Sequence, residues 1–178
     1  MSKKLLFIFL NLAFCCVLNS VQAAEKSELQ QRAETDDEKG NVASARFHFI
    51  RAYEDYAGKG QIKEAVACGV RATALYYNEN YYKEAFELLR GIDQSINNQS
   101  GASGAVQAAL HYQVTKERMQ MYMKLRKSAN VMEQLNIMEG QANAAGDEAV
   151  KNDLLYNKAI YYYTFGMNAQ GNAVFKEM

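Results

Sequence analysis

The side chains able to do chemistry are few in this chain, and their spacing is poor for it. His48 and His111 are the only histidines. They fall on different expected helices, with no Cys or second His at ligand spacing from either. A zinc site needs three or four such ligands, so no metal is assigned. Glu54 and Asp55 would serve as an acid–base pair on paper. Neighbours on a helix point to different faces, and two solvated side chains are the simpler reading. Asp36-Asp37-Glu38 carries charge enough for a cation but lacks the glycine and spacing of a calcium loop. No glycine-rich loop brings the Lys and Ser/Thr of a nucleotide site. Gly101 to Gly104, ahead of a helix, is at most a weak anion seat and reads as a linker. Cys68, between Ala67 and Gly69, reads as a small core residue rather than a nucleophile. No catalytic residue and no cofactor follow from these residues.

The enriched chemistry is aromatic, with 12 Tyr against no Trp. Tyr76-Tyr77, Tyr81-Tyr82 and Tyr161-Tyr162-Tyr163 each place at least one ring off a single buried stripe. Tyr56, Tyr76 and Tyr162 are read as filling grooves between helices. Tyr77, Tyr82 and Tyr161 are read as a contact surface, since a tyrosine offers a large apolar area with a polar tip. Arg71, Lys83 and Lys158 lie near them, fit to hold a carboxylate or the polar backbone of a bound segment. The partner this implies is a protein or peptide.

The elements that must position these residues are helical. The chain has no Pro, where average usage of about 5% would give roughly nine. Good helix formers are plentiful, and Val and Ile are sparse and do not alternate with polar residues, so a sheet is not expected. Ser27 with Gln30 makes a weak cap for a polar first helix or lead-in over 25–37. Asn41 is the expected cap of the next helix, whose stripe is Ala45, Phe49, Ala52, Tyr53 and Tyr56. Helices follow near 62–77, 81–96, 105–125 and 129–142. A sixth is capped by Asp147, and a last begins near Ala169. The polar run Thr115-Lys116-Glu117-Arg118 predicts an exposed middle face on the longest of them. Residues 97–104, with two Gly, two Ser and two Asn, form the longest linker.

The first 23 residues are set apart as a signal peptide. Lys3 and Lys4 precede an apolar run over 5–18, and Val21-Gln22-Ala23 supplies a peptidase site, so the mature chain is expected to begin at Ala24. The run is shorter than the about 20 residues of a membrane span; an uncleaved anchor is the alternative. Cleavage removes Cys15 and Cys16, leaving Cys68 without an intrachain partner. It also leaves 18 basic against 20 acidic residues, a net charge of −2. That balance argues against nucleic acid and against an anionic membrane surface. A membrane enters only through a downstream segment or an uncleaved signal. The expected location is exported, in a periplasm.

One pattern recurs. Tyr56-xxx-Gly60-xxxx-Ala65 returns as Tyr162-xxx-Gly166-xxxx-Gly171 and, more weakly, as Tyr76-xxx-Asn80-xxxx-Ala85. Extended to Phe49, Tyr53 and Ala72, it resembles the tetratricopeptide family, with its period of about 34 residues. Gly69 departs from that family, which prefers a large apolar residue there, and no copy has the closing Pro. The segment from Gln120 to Ala129 fits only by helix length. The resemblance implies an all-α fold over 42–178, with antiparallel hairpins stacked as a tetratricopeptide-like solenoid. A signal peptide before Tyr-rich repeats also resembles the periplasmic sensor region of Gram-negative signalling regulators. The implied function is a protein- or peptide-binding scaffold in signal transduction, with the chain truncated at its C-terminus. A freestanding periplasmic assembly or adaptor protein, or an enzyme with a Tyr-lined groove, are the alternatives.

Overall fold

Residues 40, 60 and 80, and again 126, 146 and 166, all take positive φ. Each marks the end of a helix. The computed structural model describes residues 26–178, and among these it is all helical: α1 (Glu28–Glu38), α2 (Val42–Gly58), α3 (Ile62–Asn78), α4 (Tyr82–Asn97), α5 (Gly104–Lys124), α6 (Ser128–Ala145), α7 (Glu148–Thr164) and α8 (Asn168–Glu177). The expected signal peptide lies outside the described residues. Among those described, no helix is long and apolar enough to cross a membrane.

Five of the turns share one hydrogen-bond pattern. At Gly60 the next backbone N–H, from Gln61, returns to the Tyr56 carbonyl at 2.9 Å. The same bond joins Asn41 to Asp36, Tyr81 to Tyr76, Lys127 to Tyr122 and Met167 to Tyr162. This is a left-handed helix stop, in which a bond six residues long satisfies a carbonyl that the helix would leave open. The small residue nine positions after the tyrosine, Ala65, Ala85 and Gly171, is buried each time. A fourth copy, Tyr122, Arg126 and buried Val131, completes the series. Arg in place of Gly and Val in place of Ala hid it from the sequence reading. Turns fall twenty residues apart within each half, so a hairpin takes forty residues, more than the about 34 of the tetratricopeptide pattern. The linker over 98–103 displaces the second half by six residues.

Capping follows the expectation in part. Ser27 Oγ accepts from Gln30 N at 3.2 Å and Asp147 Oδ1 from Ala149 N at 2.8 Å. Asn41 makes no side-chain cap. Its backbone sits at φ −79° and ψ 63° as the last residue of the turn, outside the extended region a capping side chain needs. The segment expected as a lead-in is the helix α1, packed against α2.

Successive helices pack on one another, and α3 with α5 and α5 with α7 also touch. Two buried cores result. The first is built by α1 to α4 and takes Leu110, Val114 and Met121 from α5; the second is built by α5 to α7, with Tyr112 and Met119 from the same α5, and is flanked by Phe165 and Met167 of the turn after α7. A helix sandwiched between two cores cannot present one apolar face and one polar face. The polar run on α5 is accordingly no exposed stripe. Thr115 is buried, and Lys116, Glu117 and Arg118 reach Asp153 on α7, Tyr77 on α3 and Asp93 on α4.

Candidate binding groove

Ala67, on α3, lines two cavities of about 320 Å³ each. One lies against α1, where Gln30, Glu34, Asp37 and Glu38 face Cys68 and Arg71. The other lies against α5, with Ala105, Val106, Ala109 and Leu110 as an apolar floor. Lys63, Gln113 and Asp147 line it too. The two meet at Ala67, so ionisable groups of α1 lie on one side of it and small apolar residues of α5 on the other. Small side chains at 67, 105 and 109 keep this groove open, since larger ones would fill the space between helices. Lys26 binds Glu34 through a 2.8 Å ion pair, and its hydrogen bond holds that carboxyl below the ordinary range.

The residues predicted as a contact surface do not converge. Arg71 is in the groove, its guanidinium bound to Asp37. Tyr82 and Lys83 begin α4; the Tyr82 hydroxyl donates to Asn80 Oδ1 at 3.2 Å. Tyr82 lines a separate cavity of about 430 Å³ with Gln120, Met123, Lys124 and Arg126. Lys158, on α7, pairs with Glu139 of α6 at 2.9 Å. Two of the tyrosines are interior and offer no ring to a partner. Tyr77 is 9% exposed and Tyr161 is 4% exposed. Tyr77 is held by Glu117 across the α3–α5 contact, and Tyr161 by Ser128 at 3.0 Å. The sequence reading took Tyr76 and Tyr162 as the inward members of these pairs. Both are only partly buried, because α3 and α7 have helices on more than one side and adjacent positions can each face a neighbour. Tyr56 is buried as expected. Its hydroxyl accepts from Ser27 N at 2.7 Å and donates to Gln30 Oε1 at 2.8 Å, tying α2 to the start of α1.

Two histidine clusters went unseen in the sequence, because their members come from different helices. Asp36 Oδ2 accepts from Ser44 Oγ at 2.6 Å and lies 3.0 Å from His48 Nδ1. The hydroxyl here binds the carboxylate directly, whereas activation of a serine needs it on the imidazole. His111 Nδ1 lies 3.0 Å from Asp93 Oδ1 and its Nε2 3.1 Å from Asn97 Oδ1. Both ring nitrogens are engaged, so neither is aimed at a reacting group. Asp93 also takes Arg118 at 2.7 Å, so the cluster fastens α4 to α5. Among the described residues, no three His, Cys, Asp or Glu side chains converge as a metal site.

Comparison with protein-family models, curated proteins and solved structures returns no match.

Proposed function

We propose that this chain is a protein- or peptide-binding scaffold of stacked helical hairpins, akin to the tetratricopeptide proteins and serving as the extracytoplasmic sensor region of a signal-transduction protein. The observation that carries the binding reading is the groove that Ala67 joins across α1, α3 and α5. A bound segment would lay apolar side chains over Ala105, Val106 and Ala109 and meet the polar groups of α1 at its other end. Turns that recur at twenty-residue intervals support the repeat reading. The apolar N-terminal run supports export.

The test is a peptide selection against protein beginning at Ala24, followed by competition with Ala67→Trp. Ala67 is exposed, so the indole fills the groove without entering the core. Selected peptides should lose at least about tenfold in affinity for the variant, which is about 1.4 kcal/mol, while its helical spectrum is unchanged. Peptides that bind both proteins equally would place binding elsewhere.

A further inference from the structure

Glu117 occupies an unusual position. It lies on α5, the helix that both cores share, and faces α3. Its carboxyl accepts one hydrogen bond, from the neutral Tyr77 hydroxyl at 2.9 Å, and makes no ion pair among the described residues. Two nearby cations are engaged elsewhere. Lys116 is held by Asp153 at 2.6 Å, and Arg71 by Asp37. Lys124 stands 5.2 Å over the Tyr77 ring and reaches Asn78 Oδ1 at 2.8 Å. On the α4 side, Arg118 and His111 both turn to Asp93. The ionised carboxylate therefore sits in a helix contact with a single neutral donor, while the protonated acid fits the same place without a charge to desolvate.

We propose that the contact between α3 and α5 is a proton-operated latch, closed when Glu117 carries a proton and loosened when it does not. The contact fastens α5, the helix both cores share, to α3 of the first core. The proposal concerns packing alone and holds whatever the groove binds.

The sign follows from the environment. Burial raises the Glu117 carboxyl above its ordinary value of 4.5, against the smaller opposing effects of Tyr77, Lys116 and Arg71. A carboxyl raised in the folded state favours folding fully below its unfolded value, and that contribution is lost as pH rises through the folded value. The contact is tightest in acid and loosens toward neutral pH.

Amide hydrogen exchange of α3 and α5, measured from about pH 4 to pH 8, upward from the ordinary range of a glutamate, and corrected for intrinsic rates, reads the latch. Protection should fall by up to about tenfold per pH unit within the titration window. In Glu117→Gln, a neutral mimic of the protonated acid, protection should be high and flat across the same range. Equal pH dependence in both proteins would overturn the proposal. Should the variant fail to fold, a carboxyl-detected NMR titration of the unaltered protein decides. Glu117 taking up its proton above 4.5 upholds the latch, and uptake at or below that value ends it.

Discussion

The Tyr112 hydroxyl donates to Asp153 Oδ2 at 2.7 Å, joining α5 to α7. Lys116 Nζ meets the other carboxylate oxygen at 2.6 Å, and Asn157 Nδ2 approaches Oδ2 at 3.0 Å. Tyr112 is 3% exposed, so its hydroxyl has no water to turn to. Asp153→Ala strands that donor, and the loss should be about 2 kcal/mol, the usual cost of orphaning a buried hydrogen-bonding group. Tyr112→Phe removes donor and need together and should cost about 1 kcal/mol. Urea unfolding of both variants and of the double variant checks this. The double variant should be less destabilised than the sum, because both single changes remove the same Tyr112–Asp153 bond.

Alkaline pH tests the same buried hydroxyls. Burial raises Tyr112 above its ordinary value of 10, with the Asp153 carboxylate adding to the effect. Burial and Glu117 do the same to Tyr77. A tyrosine raised on folding stabilises fully below 10, and the contribution is lost as pH climbs through the raised value. The Tyr112 phenol should not ionise until the chain unfolds. In Tyr112→Phe, the phenolate absorbance that disappears should belong to the step coinciding with helix loss. Absorbance missing from an earlier step would show an accessible hydroxyl.

Gly69 packs where a methyl group does not fit. A Cβ there would lie 2.6 Å from Ile92 Cδ1 and 3.3 Å from Tyr53 Cδ2. Ile92 is fully buried, and Tyr53 is held by Ser95 at 2.8 Å, so neither yields freely. This accounts for the departure from the tetratricopeptide pattern, since Ile92 of α4 fills the space its large residue would take. Ala is the better helix former by about 1 kcal/mol, yet overpacking costs about 1 to 3 kcal/mol. Gly69→Ala should therefore lower stability by roughly 1 kcal/mol. Adding Ile92→Val removes the clashing Cδ1 and should recover part of the loss in thermal unfolding.

Helix ends and turns were legible in the sequence, because Gly and Asn at positive φ are chemically constrained and recur at fixed distances. Ser27 and Asp147 were legible as caps for the same local reason. Partner assignment was not. Polarity on α5 suggested solvent, but three neighbouring helices each take one polar residue from it, and a single sequence does not reveal how many neighbours a helix has. Two of the three contact tyrosines turned inward for the same reason, since Tyr77 and Tyr161 find hydroxyl partners 40 and 33 residues away. Arg71 was read as a contact residue beside the tyrosines and lines the groove instead, while Ala67, Ala105 and Ala109 were passed over, being unremarkable helix formers. The alternating contact of α3, α5 and α7 is the signal that finds them, and it exists only in the fold.

Arg126 holds the left-handed position that Gly occupies at 40, 60, 146 and 166, at φ 56°. A side chain there costs about 1 kcal/mol. Its guanidinium donates to the Thr164 carbonyl at 3.0 Å, so the turn after α5 clasps the end of α7. A cation at a helix C-terminus also complements the helix dipole. Arg126→Ala keeps the strain and loses the clasp, and should destabilise by about 1 kcal/mol. Arg126→Gly loses the clasp but relieves the strain, and should come out near neutral. Chemical denaturation of the two variants separates strain from clasp. Equal stabilities would mean the turn carries no strain.

Cys68 lies on the wall of the groove yet is 1% exposed. Burial pushes its thiol up to about 12, with Glu34 and Glu64 adding to the effect. The thiolate is the reactive form, and both its scarcity and its inaccessibility oppose reaction. In protein beginning at Ala24, where Cys68 is the sole cysteine, a thiol reagent should label the folded chain only as fast as the chain opens. Labelling should accelerate with urea in parallel with loss of helix, and Cys68→Ser should abolish it. The control is iodoacetamide against a small aromatic disulfide. If the chain must open first, both reagents give the same limiting rate at high concentration. Rates that follow each reagent's own reactivity instead would mean that the sulfur is reached from the groove without unfolding, and that α1 and α3 separate there in the folded protein.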